Sequence, residues 1–230
     1  MKIVTMHKQN AALETGKPDP KVIEAVGALF GEMGQQFIGG EGLRPSATRA
    51  RVNAAGKVER GPYAGRNELP AGFCLFSAPS LDQAIEHGAR IAKAIDGEVE
   101  VGPVTEMWDL GAPKPEPLPP PRFLALAKAD ANSESGAEFL PRVAAPIAEL
   151  KRAGLFLGAE GLAPSKQSKR MRHRRSQATV IDGPFAETKE LIAGYAVLEV
   201  ASWDEALAIC DRFGKALGGD IEMDLRPLGR

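Results

Sequence analysis

The segment with the greatest capacity for chemistry is 180–190, where an apolar strand end is followed by acidic and basic side chains. Asp182 stands directly before Gly183-Pro184, and a carboxylate at a strand end can act as a general base or bind a ligand amine. Glu187 and Lys189 follow closely, and Lys189 could orient an anionic group. We predict Asp182 as the catalytic residue, with Glu187 and Lys189 in the ligand site. The sequence favours a structural alternative, because aspartate before Gly-Pro commonly stabilises a turn by bonding to local backbone N–H groups.

Two other carboxylates occupy matching places in the two halves of the chain. Glu41 begins the tripeptide Glu-Gly-Leu, and Glu160 begins the same tripeptide further on. A pair of carboxylates near an interface between two units would suit a ligand pocket, so we predict both as ligand-binding residues. The alternative is a contact from each carboxylate to backbone N–H groups in a helix-to-strand loop.

His7 is the remaining candidate for the ligand site. It lies on the first predicted strand, where the second half of the chain has Ala127. If its side chain faces the pocket, it can pair with a carboxylate, and we include it among the ligand-binding residues. The alternative is core packing, which is the more common role of a single histidine on a strand.

The sequence predicts neither a metal site nor a cofactor. The three histidines, His7, His87 and His173, have no metal-ligand spacing, and no Cys-x-x-Cys motif occurs. Neither a Gly-x-Ser-x-Gly elbow nor a phosphate-binding glycine loop is present. Cys74 and Cys210 each lie in an apolar stretch, which indicates buried, reduced thiols.

The strongest run of like charge is 166–175, which contains six lysine or arginine residues and no acidic residue. Such a run could hold a phosphate, a nucleic acid or an acidic protein surface. It has no interleaved aromatic residues for base stacking, which disfavours nucleic acid as a partner. We expect this segment to be a solvated hairpin tip.

Composition places the chain among ordinary globular proteins. Hydrophobic residues make up 43% of the 230 residues and charged residues 26%, with a net charge of −1. That charge gives no general attraction to nucleic acid or membrane. No apolar run approaches the roughly 20 residues that a membrane helix needs, and no N-terminal signal pattern is present. We therefore expect a cytoplasmic protein with no membrane partner.

The chain also contains an internal repeat. Gly61-Pro62-Tyr63 lies 122 residues before Gly183-Pro184-Phe185, and several other short matches keep that offset. The tripeptides that begin with Glu41 and Glu160 are offset by 119. So many matches in one order indicate a tandem duplication.

A proline-rich segment separates the two copies. Residues 112–121 contain six prolines in ten positions, which is typical of an extended, semi-rigid linker. We therefore predict one domain over 1–111 and a second over 122–230, joined by this linker.

Each copy has the element pattern of a ferredoxin-like unit, β-α-β-β-α-β, in which two helices cover one face of an antiparallel sheet. Asp19 and Ser80 are predicted helix N-caps, and Gly39-Gly40 is predicted to lie in a turn. A helix is predicted over 137–152, with Pro146 kinking or breaking it. We predict an α+β fold in which the two units bury their free sheet faces against each other as a pseudo-dimer.

The second copy resembles a known family. The segment 180–190, with Glu160-Gly161-Leu162 before it and Gly194-Tyr195 after it, is similar to the YCII-related family with the Asp-Gly-Pro-Phe signature. The similarity covers essentially all of 122–230. The resemblance implies a dimeric α+β-barrel architecture, a bacterial origin and relatives of undefined function, some of them linked to extracytoplasmic-function sigma factors.

The resemblance also implies that some relatives are enzymes with a His-Asp pair, but the predicted helix over 137–152 contains no histidine. The first copy is a degenerate version with Arg60 where Asp182 stands, so chemistry at Asp182 would occur once per chain. We expect a protein that binds an unknown small molecule near the Asp-Gly-Pro-Phe turn and that could be an enzyme. The alternative is a regulatory module that binds a protein such as a sigma factor. The pseudo-dimer could also form a further homodimer.

Overall fold

A computed structural model of the chain describes residues 1–8, 14–15, 18–65, 68–128, 136–174, 177–184, 190–217 and 220–229. Within these ranges, the strands are β1 (Lys2–Lys8), β2 (Phe37–Gly42), β3 (Ala50–Asn53), β4 (Val58–Arg60), β5 (Pro70–Ser77), β6 (Glu98–Pro103), β7 (Arg122–Lys128), β8 (Phe156–Gly161), β9 (Lys169–Arg174), β10 (Gln177–Asp182), β11 (Ile192–Glu199) and β12 (Ile221–Pro227). The α-helices in the same ranges are α1 (Pro20–Met33), α2 (Leu81–Ile95), α3 (Gly136–Arg142), α4 (Ala144–Arg152) and α5 (Trp203–Ala216). This mixture confirms the predicted α+β class.

The strands form two six-stranded antiparallel sheets. Sheet I has the order β10-β9-β12-β1-β11-β2, and sheet II has the order β4-β3-β6-β7-β5-β8. Each sheet contains strands from both halves of the sequence, since β1 and β2 lie in sheet I while β7 and β8 lie in sheet II. The boundaries at 1–111, 112–121 and 122–230 therefore stay a prediction about the sequence repeat.

Three apolar cores hold the layers together. Helices α1 and α5 pack on the outer face of sheet I, and helices α2, α3 and α4 pack on the outer face of sheet II. A third core lies between the sheets, where Val4 and Tyr195 of sheet I belong to the same cluster as Phe73 and Leu126 of sheet II. The order of the layers is therefore helix, sheet, sheet, helix.

The helices begin at the predicted capping residues. The Asp19 carboxylate accepts a hydrogen bond from the Lys21 backbone N–H at 2.9 Å at the start of α1. The Ser80 hydroxyl accepts one from the Gln83 N–H at 3.3 Å at the start of α2. No helix in the described ranges is long and apolar enough to cross a membrane.

The helix predicted over 137–152 is divided in two. The division lies at Val143, between α3 and α4, and not at Pro146. Pro146 instead occupies the first turn of α4, where its missing N–H would have no partner within the helix. The prediction of a break was correct, and its position was three residues too late.

Strand β2 corrects the prediction of a turn at Gly39-Gly40. Gly40 lies inside β2, opposite Ala196 of β11. A Cβ atom at Gly40 would lie 2.4 Å from the Tyr195 carbonyl oxygen, so glycine is required by the close approach of two strands. Strand β8 occupies the corresponding edge of sheet II beside β5.

Two buried arginines connect the sheets. Arg49, next to β3 of sheet II, is 1% exposed and donates a hydrogen bond of 2.7 Å to the carbonyl oxygen of Ile192 on β11 of sheet I. Arg226 on β12 of sheet I is fully buried and donates to the carbonyl oxygen of Pro70 on β5 of sheet II. Each guanidinium group therefore reaches from its own sheet to the first residue of a strand in the other.

These two guanidinium groups also have matching partners close to their own strands. Arg49 donates to the Arg44 carbonyl at 2.6 Å, and Arg226 donates to the Ala163 carbonyl at 3.0 Å. Both carbonyls belong to the residue that follows a Glu-Gly-Leu tripeptide. At Gly102 on β6, an added Cβ would lie 3.1 Å from the Arg49 side chain, so the glycine leaves the room that this arginine occupies.

Replacing Arg226 with methionine is expected to lower the free energy of unfolding by about 2–4 kcal/mol, because two buried carbonyls lose their donor. Denaturant titration measures this change. Arg212→Met is the control, since the Arg212 guanidinium is exposed and pairs with the exposed Glu32, and it should alter stability by less than about 1 kcal/mol. Equal losses in the two variants would contradict a special role for the inter-sheet arginine.

Candidate functional site

Asp182 lies at the outer edge of sheet I. It is the last residue of β10, its side chain is 77% exposed, and it pairs with the Lys169 ammonium group on β9. That ammonium group lies 5.4 Å from the centre of the Trp203 ring. The carboxylate is thus part of an exposed ion pair, and its catalytic role stays a prediction. Glu187 and Lys189 lie outside the described residues.

The Gly-Pro turn after Asp182 has a packing role. A Cβ atom on Gly183 would lie 1.7 Å from the Ser165 carbonyl oxygen, and one on Gly61 would lie 1.8 Å from the Ser46 carbonyl oxygen. Only glycine allows the backbone to approach so closely. The recurring Gly-Pro pair therefore meets the same steric demand in both halves of the chain.

His7 is placed on the helix side of sheet I. Its ring packs edge-to-face on Phe213 of α5, with the ring centres 5.6 Å apart. Burial, followed by the cations of Arg49 and Lys8, lowers the pKa of His7 to about 4. The imidazole is neutral at pH 7 and lies on the face of the sheet opposite to Glu41, so the structure does not bring these two predicted site residues together.

Glu41 and Glu160, by contrast, lie around one pair of aromatic rings between the sheets. Glu41 on β2 is opposite Tyr195 in the strand pairing, and Glu160 on β8 is opposite Phe73. The Phe73 and Tyr195 rings contact each other across the sheets, with centres 4.5 Å apart. Burial, and after it the Glu41 carboxylate, raises the pKa of the Tyr195 hydroxyl, and Glu160 acts in the same direction. Both carboxylates therefore influence a single phenol.

The Glu41 carboxylate is held in place by Arg122. The Arg122 guanidinium group pairs with Glu41 and also donates to Glu106 at 2.9 and 2.7 Å. Burial raises the pKa of Glu41, while the hydrogen bond and charge of Arg122 oppose that rise. Glu41 is thus already engaged by the protein.

Glu160 differs from Glu41 because no described residue forms a hydrogen bond or ion pair with it. The carboxylate is half-buried, and burial raises its pKa, with the charge of Lys2 acting weakly in the other direction. Gly158, two residues earlier on β8, lies opposite Leu75, and a Cβ atom added there would meet no atom within 4 Å. Glu160 is therefore a partly desolvated carboxylate beside open space.

Sequence reasoning missed an ion network buried beside the central core. In sheet II, Arg51 lies 2.6 Å from Glu68 and 3.3 Å from Glu100, and Lys128 pairs with both carboxylates. Burial raises the pKa of Glu100, but the cations of Lys128, Arg49 and Arg51 outweigh burial and hold that pKa at about 2. The charges within this network satisfy one another.

Sheet I contains a matching network. Lys8 lies 2.8 Å from Asp224, and Arg170 lies 2.6 Å from Asp224 and 3.2 Å from Glu222. Arg170 is 3% exposed, so the expectation of a solvated hairpin tip was wrong for this residue. The sequence at 221–226 could have indicated this network, because charged residues alternate there with apolar ones, and all six prove to be buried on β12.

Stability is expected to fall as the pH drops from 6.5 to about 4, in part because of His7. The unfolded chain binds a proton at this histidine below its ordinary pKa of about 6.5, whereas the folded protein binds it only near pH 4. Denaturant titrations at several pH values should show a smaller fall for His7→Gln than for the unchanged protein. A fall of the same size in His7→Gln and the unchanged protein would contradict the buried neutral imidazole.

Comparison with known proteins gives two matches. Residues 122–222 match the family model for the YCII-related domain, which confirms the resemblance of the second half. An uncharacterised protein of Rhizobium meliloti is 37% identical over 67 residues, which are 29% of this chain and 54% of that relative. The chain thus spans about half the length of this curated relative. No solved structure matches the chain significantly.

Proposed function

We propose that this chain, in which residues 122–222 match the YCII-related domain, binds a small molecule between its two sheets, beside the Phe73 and Tyr195 rings. The observation that carries the proposal is the state of Glu160. A half-buried carboxylate with a raised pKa and no described partner is expected where a ligand supplies the missing contact.

The charges around the rings indicate the chemistry of the ligand. Glu41, Glu106 and Glu160 outnumber the cations Arg122 and Lys2, so the surroundings disfavour an anion. The partly buried Leu75, opposite Gly158 on β8, offers an apolar surface near the Glu160 carboxylate, and the buried Phe73 and Tyr195 rings lie beneath it. A small, partly apolar molecule with an amine or another hydrogen-bond donor fits these groups.

The architecture in this proposal is a barrel-like pseudo-dimer in which the two ferredoxin-like copies exchange their first two strands, so that β1 and β2 lie in sheet I and β7 and β8 in sheet II. It is supported by contacts that recur in both halves, such as the approach of Gly61 to Ser46 and of Gly183 to Ser165. In this arrangement, Glu41 and Glu160 occupy equivalent places, and only Glu160 lacks a partner. This difference supports placing the ligand on the Glu160 side of the pseudo-dimer.

The regulatory alternative has less support. Of the basic run at 166–175, Lys169, Arg170 and Arg172 all pair with carboxylates of the same chain. The charges of these three cations are already neutralised locally, which weakens the field that the run presents to an acidic protein such as a sigma factor.

A thermal-shift screen against amines and other small metabolites tests the proposal. A ligand at a hundred times its Kd should stabilise the protein by about 2.7 kcal/mol, roughly 5–10 °C in a chain of this size. The shift should be lost in Glu160→Gln and kept in Asp182→Asn, whose carboxylate lies at the sheet edge. Glu41→Gln is the matched control for removing a half-buried carboxylate.

Three results would count against this site. They are the absence of any stabilising compound, a shift that survives in Glu160→Gln, and a shift that is lost in Asp182→Asn alone. The last result would move the ligand site to the Asp-Gly-Pro-Phe turn, as the sequence predicted.

A further inference from the structure

The edges of the two sheets differ in how they are protected. Strands β2 and β8 are continued into the opposite sheet by isolated bridges, Leu43 to Val104 and Leu162 to Leu228. Strand β4 has only three residues, and two of them, Glu59 and Arg60, are charged. Short length, charge and covering are the usual means by which proteins prevent a sheet edge from pairing with another chain.

Strand β10 is less protected than the other edges within the described ranges. It is six residues long, all six are exposed, and in the described ranges it pairs with β9 alone. Val180 and Ile181 are 44% and 38% exposed, and they are adjacent. The one charged residue of the strand, Asp182, is paired with Lys169. The free edge of β10 is therefore long, neutral and partly apolar.

We propose that the free edge of β10 pairs in an antiparallel manner with β10 of a second copy of this chain. A two-fold axis perpendicular to the sheet at Val180 places Val180 opposite its own copy. The same axis places Thr179 opposite the second copy's Ile181 on the other face, and Asp182 opposite Ala178. β-Branched residues facing one another across strands stabilise a sheet, and no like charges are placed opposite each other.

Self-pairing fits this edge better than a charged partner does. The strand Gln-Ala-Thr-Val-Ile-Asp carries one charge that is already paired, so it has nothing to attract an acidic or basic segment. A second β10 supplies the same neutral composition and a complementary register. The exposed cation nearest to the strand centre, Arg172 on β9, pairs with Glu222 and so adds little repulsion between the copies.

The contact is small, so the association is expected to be weak. Six residues of strand extend over about 20 Å, and an interface of that size belongs to the weak, transient class. The dimer should therefore depend on concentration, with a Kd in the micromolar range.

Sedimentation of the full chain between about 1 and 200 µM tests this proposal. The unchanged protein should shift from monomer toward dimer over that range, and Val180→Lys should raise the Kd at least tenfold by placing two ammonium groups opposite each other. Val58→Lys on β4 is the matched control, because Val58 is 41% exposed on the outer strand of sheet II. It should leave the Kd unchanged.

The proposal is overturned if the unchanged protein stays monomeric at 200 µM, or if Val180→Lys dimerises as well as the unchanged protein. It is also overturned if Val58→Lys weakens the dimer equally. Thermal melts of the variants show whether each is folded, and Val180→Thr provides a second variant that keeps a β-branched side chain and should retain the dimer.

Discussion

The buried guanidinium groups of Arg49 and Arg226 fix how the two sheets lie against each other. A guanidinium group cannot lose its charge in a protein, so each of these groups needs hydrogen-bond acceptors once it is removed from water. The acceptors include the backbone carbonyls of Ile192 and Pro70 on the opposite sheet, and Arg49 also donates to the Glu100 carboxylate at 3.1 Å. A shift of one sheet relative to the other would leave a buried cation and a buried carbonyl without partners. The polar contacts thereby specify an arrangement that the apolar core alone would leave adjustable.

The two halves supply the same group from different strands. In the first half it comes from Arg49, and Gly102 leaves space for it; in the second it comes from Arg226, and Ser168 stands where Arg49 would be. Arg49 and Ser168 are equivalent because their backbone carbonyls have matching donors. The Gly61 N–H donates to the Arg49 carbonyl, and the Gly183 N–H donates to the Ser168 carbonyl. The guanidinium group therefore lies in a corresponding place in both halves, although it belongs to residues at different positions of the repeat.

The ion networks beside the central core follow the same logic. Charged side chains there are buried in groups that neutralise one another, such as Arg51 with Glu68 and Glu100. Removing one partner from such a group would leave an uncompensated buried charge. Glu160 stands apart from this rule, and that difference is the physical basis for placing a ligand beside it.

Much of the fold could be predicted from local signals. Asp19 and Ser80 were predicted as N-caps, and the helices α1 and α2 begin directly after them. The exchange of strands between the halves could not be predicted, because pairing partners distant in sequence leave no local pattern. Gly40 was assigned to a turn because the sequence does not show why a glycine is required. A glycine that allows two strands to approach closely and a glycine in a turn look the same in the sequence.

The site was predicted less completely than the fold. Repetition of the Glu-Gly-Leu tripeptide pointed to Glu41 and Glu160, which do lie around one ring pair. The difference between them could not be predicted, since it depends on Arg122 approaching from the start of β7. The exposure of Asp182 could not be predicted either, because the same apolar sequence can form an edge strand or a central strand of a sheet.

A double-mutant cycle at Arg49 and Gly102 tests the central claim most directly. Arg49→Ser alone removes the inter-sheet guanidinium group, Gly102→Arg alone crowds it, and the double variant gives the first half the arrangement found in the second. If the position of the group determines the fit of the sheets, the double variant should regain most of the stability lost in Arg49→Ser, with a coupling energy of about 1–3 kcal/mol. If the stability losses of the two single variants simply add in the double variant, the position of the guanidinium group does not determine how the sheets fit together.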